Sequence, residues 1–226
     1  MDCPECFSNV YVKSGSAKGK PRYKSKSCNY RYTVEYKSTA KPPETRHLAL
    51  SMYLEGMGFR QIGRVLEISY VTVYRWIKKL GSISLPRTST PVKVVEIDEM
   101  HTFVGEKKNY RWIWIAVDRF GKRFIDFVCG DRSTATGLKL WDKIKHQQVN
   151  CYATDYWRSY EDFIPSEKHI QSKKETYTVE SYNSRIRHYL ARFKRKTKCY
   201  SKSIEMIEIS LKLLIMKLNN DMCILA

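Results

Sequence analysis

Acidic side chains are scarce in this chain: 23 Asp and Glu stand against 41 Lys and Arg, a formal charge of +18 over 226 residues. That deficit makes a polyanion the first partner to consider. A long apolar run is also missing. The most apolar stretch, Ile204 to Leu218, is interrupted by Glu205, Glu208, Lys212 and Lys217, too short and too charged for a bilayer about 30 Å thick. No membrane partner is expected. The N-terminus opens on Asp2 and Cys3, without the basic start and apolar core of a secretory signal. Internal repeats and low-complexity tracts are absent. So is a balanced set of cysteines: there are seven, with Cys129 and Cys151 inside apolar runs. An odd count so placed argues against a disulfide framework and for a reducing cytoplasm.

What is present separates into segments. A 42% hydrophobic content supports a packed core. Residues 1–40 are rich in Cys, Lys, Ser and Tyr, with poor helical periodicity. Residues 41–82 carry helical spacing, a polar stretch over 83–91 reads as a linker, and residues 92–226 turn to strands and then helices. Cys3-Pro4-Glu5-Cys6 is the usual first half of a zinc ribbon, and Cys28 supplies one thiol of a second half. Ser25 stands where the partner cysteine of a four-ligand site is expected. Cys3, Cys6 and Cys28 are therefore candidate Zn²⁺ ligands, with a serine in the fourth position.

Between 45 and 80 the spacing predicts three helices. Leu48 and Met52 are expected inward on the first; Phe59, Ile62, Val65 and Leu66 form one face of the second. Ser69 is placed to cap the third, where Val73, Trp76, Ile77 and Leu80 make an inward stripe. Two short helices, a tight turn and a third with a polar face match a helix-turn-helix, which would direct Thr72, Arg75 and Lys79 toward double-stranded DNA.

The C-terminal segment predicts three strands (Val92 to Asp98, Tyr110 to Val117, Arg123 to Cys129), a helix from Thr134, and a strand from Val149 reaching Thr154-Asp155. A long basic helix begins near Val179. That order is the α/β, RNase H-like one, a mixed sheet with flanking helices. It puts one acid on the first strand, one after the fourth and one on a later helix: Asp98, Asp155 and Glu180. Phosphodiester chemistry with two divalent ions needs such hard oxygen ligands, suited to Mg²⁺ or Mn²⁺. Glu99 is expected on the opposite, surface face of its strand, and Glu175 is the competing third acid. Asn183 and Arg187 share the helix face of Glu180. The basic run that follows, with Arg192, Arg195 and Lys196, reads as a stripe for backbone phosphates. Lys168 to Lys202 holds eleven basic residues against two acids. Ile204 to Leu218 is expected to pack as a helix on the sheet.

The chain resembles transposases of the bacterial insertion-sequence-one type. The resemblance lies in Cys3-Pro-Glu-Cys6, Cys28-Asn-Tyr-Arg-Tyr32, Tyr74-Arg-Trp-Ile-Lys78, Glu96-Ile-Asp-Glu-Met100, Tyr152-Ala-Thr-Asp155 and Glu180-Ser-Tyr-Asn-Ser-Arg-Ile-Arg-His188. It implies a DDE transposase that binds the terminal inverted repeats of its own element as a homo-oligomer, and that cleaves and joins DNA with Mg²⁺. It also implies a four-cysteine zinc ribbon, from which Ser25 departs. Other readings of the same features are a non-catalytic DNA-binding repressor, a decayed copy of the enzyme, and a different RNase H-like nuclease.

Overall fold

The computed structural model describes residues 2–33, 41–82 and 91–221, so the expected linker over 83–91 lies outside them save for Pro91. Contacts divide the chain into two compact units, Met1–Pro42 and Pro43–Ala226.

In the first unit β1 (Tyr11–Ala17), β2 (Lys20–Ser25) and β3 (Arg31–Thr33) form an antiparallel meander. The β1–β2 hairpin closes on Lys18-Gly19, both at positive φ (50° and 76°), as the twist of a two-residue turn requires. Tyr11, Tyr23 and Tyr32 pack across the sheet at centroid separations of 5.2 and 6.2 Å. Among the described residues of this unit only Cys3 and Tyr32 are buried hydrophobics. So small a core rarely holds a fold alone, and modules of this size rely on a staple.

The second unit opens with three helices, α1 (Pro43–Leu54), α2 (Phe59–Val65) and α3 (Tyr70–Leu80). Ser69 caps α3, its hydroxyl accepting from the Val71 N–H at 3.3 Å. Gly63 allows α2 to meet the following turn: a Cβ there would lie 2.8 Å from the Ile68 carbonyl oxygen. Ala49, Leu50, Tyr53, Leu54, Ile62, Val73 and Ile77 are buried. Leu48 and Val65, expected inside, are exposed at 48% and 58%. The inward face of α1 is set by a partner far along the chain, which local periodicity cannot locate.

That partner is α6 (Ile204–Leu218), as expected a helix on the sheet, yet buried nearly all round, the mark of a central helix. On one side it meets the helix-turn-helix. Tyr53 and Ser210 share a hydrogen bond of 2.7 Å, Lys78 pairs with Glu205 at 2.9 Å, and a Cβ on Gly81 would collide with Ile209. On the other side Asn219, just past its end, accepts from the Phe124 N–H at 3.0 Å and donates to the Phe124 carbonyl at 3.1 Å. The helix-turn-helix thus shares one hydrophobic cluster with the sheet.

The sheet comprises β4 (Val92–Phe103), β5 (Tyr110–Asp118), β6 (Arg123–Gly130), β7 (Val149–Thr154) and β8 (His169–Gln171), in the order β6-β5-β4-β7-β8. β4, β5 and β6 are antiparallel; β7 runs parallel to β4, and β8 to β7. With α4 (Thr134–Ile144) and α5 (Tyr177–Tyr189), this is the RNase H-like arrangement. Alternation sorts the core: Val95, Ile97, Trp114 and Ala116 pack with Leu140 and Tyr160, while Met100, Ile113 and Ile115 pack with Val179, Ile186 and α6. Two bounds differ from expectation. β4 continues past Asp98, paired with β5 as far as Phe103 opposite Tyr110. The basic helix stops at Tyr189, because Leu190 and Phe193 are drawn into the core and the chain leaves helical geometry there. Among the described residues no helix is long and apolar enough to cross a membrane.

Candidate active site

Strand register brings the first two acids level. Glu96 on β4 lies opposite Ala153 on β7 in parallel pairing, and Asp155, just past the end of β7, comes near enough for its charge to act on Asp98. Asp98 faces α5, where the Asn183 amide donates to its Oδ2 at 2.7 Å. Glu180, nearly one turn earlier on α5, shares that face. Asp155 Oδ1 accepts from the Trp157 N–H at 2.9 Å, and Glu180 Oε1 accepts from the Thr176 hydroxyl at 3.4 Å. Burial pushes the Asp98 carboxyl up to about 6; the charges of Asp155 and Glu180 push the same way, and Asn183 opposes them. Asp98 therefore feels both of the other acids. The oxygens of the three acids are more widely spread than the thiols of Cys3, Cys6 and Cys28, whose sulfurs all lie within 4.8 Å of one another, the one such set among the described residues.

Glu175 is committed elsewhere. Arg119 donates to its carboxylate at 2.6 Å and to its carbonyl at 2.5 Å. The same guanidinium reaches Glu96 Oε1 at 2.6 Å, and Glu96 Oε2 accepts from the Val179 N–H at 2.8 Å. Glu96 is fully buried, and a carboxylate at a helix N-terminus is favourably placed. Glu96 and Arg119 thereby clamp the start of α5 immediately before Glu180. Sequence reasoning passed over both. Glu96 and Asp98, two apart on a strand, share a face, and that was the available signal; nothing local marks Arg119.

Glu99 corrects an expectation. It is buried rather than on the surface, because its face of β4 is covered by α4 and the segment containing Tyr160. Arg132 lies 3.5 Å from its carboxylate, held over the rings of Trp112 and Trp157 at 4.7 and 3.9 Å. Burial lifts Glu99 to about 7.

Of the DNA-binding candidates on α3, Arg75 and Lys79 are exposed, and Thr72, nearly one turn before Arg75, is half-buried. Arg187 lies half-buried on the face of Glu180 and Asn183, and its Nε is buried without a hydrogen-bond partner among the described residues. Arg195 and Lys196 are exposed beyond α5. Arg192 is placed differently. Its guanidinium sits over Tyr53 and Phe59 at 5.1 and 5.2 Å and donates to the Ser201 hydroxyl at 3.3 Å, so the expected stripe is not one face of one helix.

In the first unit Cys3 and Cys28 sulfurs lie 3.6 Å apart, and Cys6 Sγ is 3.4 Å from Ser25 Oγ. Ser25 is fully buried, and its hydroxyl accepts from the N–H groups of Ser27 and Cys28 at 3.2 and 3.4 Å. Ser25 thus lies beside the three thiols, at the position where the fourth ligand is expected. Its hydroxyl, then the Ser8 backbone, lowers the Cys6 thiol to about 7, toward the thiolate that binds metal.

Residues 92–220 match the family described as IS1 transposase, and residues 42–82 match the homeodomain-like domain. The insertion element IS1 4 protein InsB of Escherichia coli (strain K12) is 36% identical over 118 residues, 52% of this chain and 71% of that protein. The IS1 protein InsB of Shigella flexneri is 35% identical over 111 residues, 49% of this chain and 85% of that protein. Among solved structures, the simian T-cell lymphotropic virus intasome in complex with PP2A regulatory subunit B56 gamma matches at a TM-score of 0.37 and 12% identity, over 75% of this chain and 66% of that one; a likeness of that degree carries no argument.

Proposed function

Because the chain belongs to the IS1 transposase family, we propose that it binds the terminal repeats of its element through α3 and cuts and joins DNA at Asp98, Asp155 and Glu180. The observation that carries this reading is the gathering of the three acids: Asp98, raised chiefly by burial and held by Asn183 on α5, also feels the charges of Asp155 and Glu180. Carboxylates gathered close enough to raise one another favour a cation among them. The donors are hard oxygens, which fit Mg²⁺ or Mn²⁺. When bound, such ions supply Lewis-acid stabilisation of the phosphate oxygens undergoing displacement.

The chain's own side chains do the rest. Asn183 orients Asp98, and Glu96 with Arg119 fixes the helix start that carries Glu180. Arg187, with a buried donor unspent beside Asp98, is set to grip the phosphate next to the cut. Arg195 and Lys196 contact the backbone beyond it, and Arg75, Lys79 and Thr72 read or hold the duplex. Arg192 positions the segment after α5 against α1 and α2. Action on DNA ends puts the protein in the cytoplasm, working as a homo-oligomer on paired ends. The test is a strand-transfer assay with the ends of its own element and Mg²⁺. Joined product supports the reading; tight end binding without cleavage or joining would favour a repressor.

The field also predicts a pH dependence. Asp98 titrates near 3.8 when unfolded and at about 6 when folded, and Glu99 moves from 4.5 to about 7. Between those values the folded state holds more protons, so these groups lower stability as pH rises from about 4 to 7. In EDTA the melting temperature should fall from pH 5 to pH 8, and Mg²⁺ should restore more of it at pH 8. Equal Mg²⁺ stabilisation at both values would count against a metal site at Asp98.

We also propose Zn²⁺ at Cys3, Cys6 and Cys28 with Ser25 at the fourth corner. Ser25→Cys should tighten Zn²⁺ by at least roughly tenfold in chelator competition, since a thiolate replaces a hydroxyl that ionises poorly. No change would mean that the cluster is not a metal site.

A further inference from the structure

A cleft of about 230 Å³ opens between the far end of β4 and the segment after α5, lined among others by His101, Tyr110, Lys107, Phe193, Lys194 and Arg195. Its wall is aromatic. The His101 ring stands between Tyr110 and Trp112, at centroid distances of 5.4 and 5.2 Å. Its rim is cationic, with Lys107, Lys194 and Arg195 exposed and no acid in the lining. The charges of Arg187 and Arg195 both reach His101, and Arg187 in turn feels Asp98. Burial, and after it those two guanidiniums, hold His101 below its usual pKa. From Trp112 the stack continues through Arg132 to Trp157, whose backbone N–H donates to Asp155.

Planar rings beside three cations match a nucleotide, base on the rings and phosphate on the rim. The volume falls below the roughly 300–1,000 Å³ of sites for larger ligands, which limits the occupant to one ring system. A paired base cannot enter, because its faces are covered by the duplex stack. We propose that this cleft takes one unpaired nucleotide of the strand being processed, its base against His101 and Tyr110 and its phosphate against Lys107, Lys194 and Arg195. The inference rests on the DNA-processing reading above and deepens it, by adding a subsite that grips the frayed or overhanging end beside the cut.

The test compares a blunt duplex of generic sequence with the same duplex bearing a short single-stranded 3′ tail. The first tail nucleotide is 2-aminopurine, and binding is followed in EDTA at low salt, where backbone contacts suffice. The wild type should bind the tailed duplex about tenfold more tightly than the blunt one, with the fluorescence of the probe quenched. His101→Ala with Tyr110→Ala should lose both effects while keeping its affinity for the blunt duplex. His101→Phe with Tyr110→Phe should retain them, since a phenyl ring stacks. A wild type that binds the blunt duplex but ignores the tail, or an alanine variant that still quenches, would overturn the subsite. A wild type that binds neither duplex would overturn the DNA-processing reading itself, and the subsite with it.

Discussion

Asp155→Asn should reduce DNA cleavage and strand transfer by about a thousandfold while leaving duplex affinity unchanged. The size follows from the proposed site: an ion misplaced by loss of one carboxylate forfeits several kcal/mol of charge stabilisation, and each 1.36 kcal/mol is a factor of ten in rate. Asparagine is the informative replacement because it keeps a carbonyl oxygen to accept the Trp157 N–H, which Asp155 Oδ1 now accepts at 2.9 Å. The loop should hold its shape and only the charge should go. Removing that charge also relieves Asp98, whose carboxyl Asp155 helps to raise. The variant should therefore melt higher than wild type in EDTA at pH 8 and gain less from Mg²⁺. Gel analysis of cleaved and joined products reads the first effect, calorimetry the second. Wild-type joining by Asp155→Asn would sink the mechanism.

Arg119→Met should cost about 3–5 kcal/mol of stability, the range for breaking a buried ion pair from one side. Glu96 has no exposed surface, and its charge is answered by the guanidinium at 2.6 Å and the Val179 N–H at 2.8 Å. Without Arg119 a single amide would face a buried carboxylate. The partner pair, Arg119 with Glu175, is partly exposed and should contribute little. Glu96→Gln in the Arg119→Met background should recover much of the loss, because the neutral amide can still accept from Val179. Chemical denaturation of the four proteins gives the coupling directly. An Arg119→Met variant within about 1 kcal/mol of wild type would show that the start of α5 is held by packing instead.

Where the three candidate acids fall in the fold was legible because chain order and spacing carry it: a strand, a strand end and a first helical turn. Glu180 was separable from Glu175 because Asn183 and Arg187 repeat on its face, and the structure gives Glu175 to Arg119. Glu99 was misread because alternation tells which face a residue takes but not what covers that face. Glu96 and Arg119 are 23 residues apart, and their meeting depends on the β4–β5 register and on α5 arriving from later in the chain. The inward face of α1 failed for the same reason at Leu48. Its partner, α6, is more than a hundred residues downstream, and a mostly buried helix announces burial without naming its neighbours. The cleft at His101 and Tyr110 was illegible, since it joins the ends of two strands to a segment expected to be helix.

The central placement of α6 has a consequence for distance. With α3 on one side of it and the sheet on the other, the surface proposed to touch sequence and the carboxylates proposed to break the strand ride on one body. Such a body works as a ruler. The separation between the bases recognised and the bond attacked is fixed by a helix with hydrophobic neighbours on nearly every side, and the DNA must match that length in both span and helical phase.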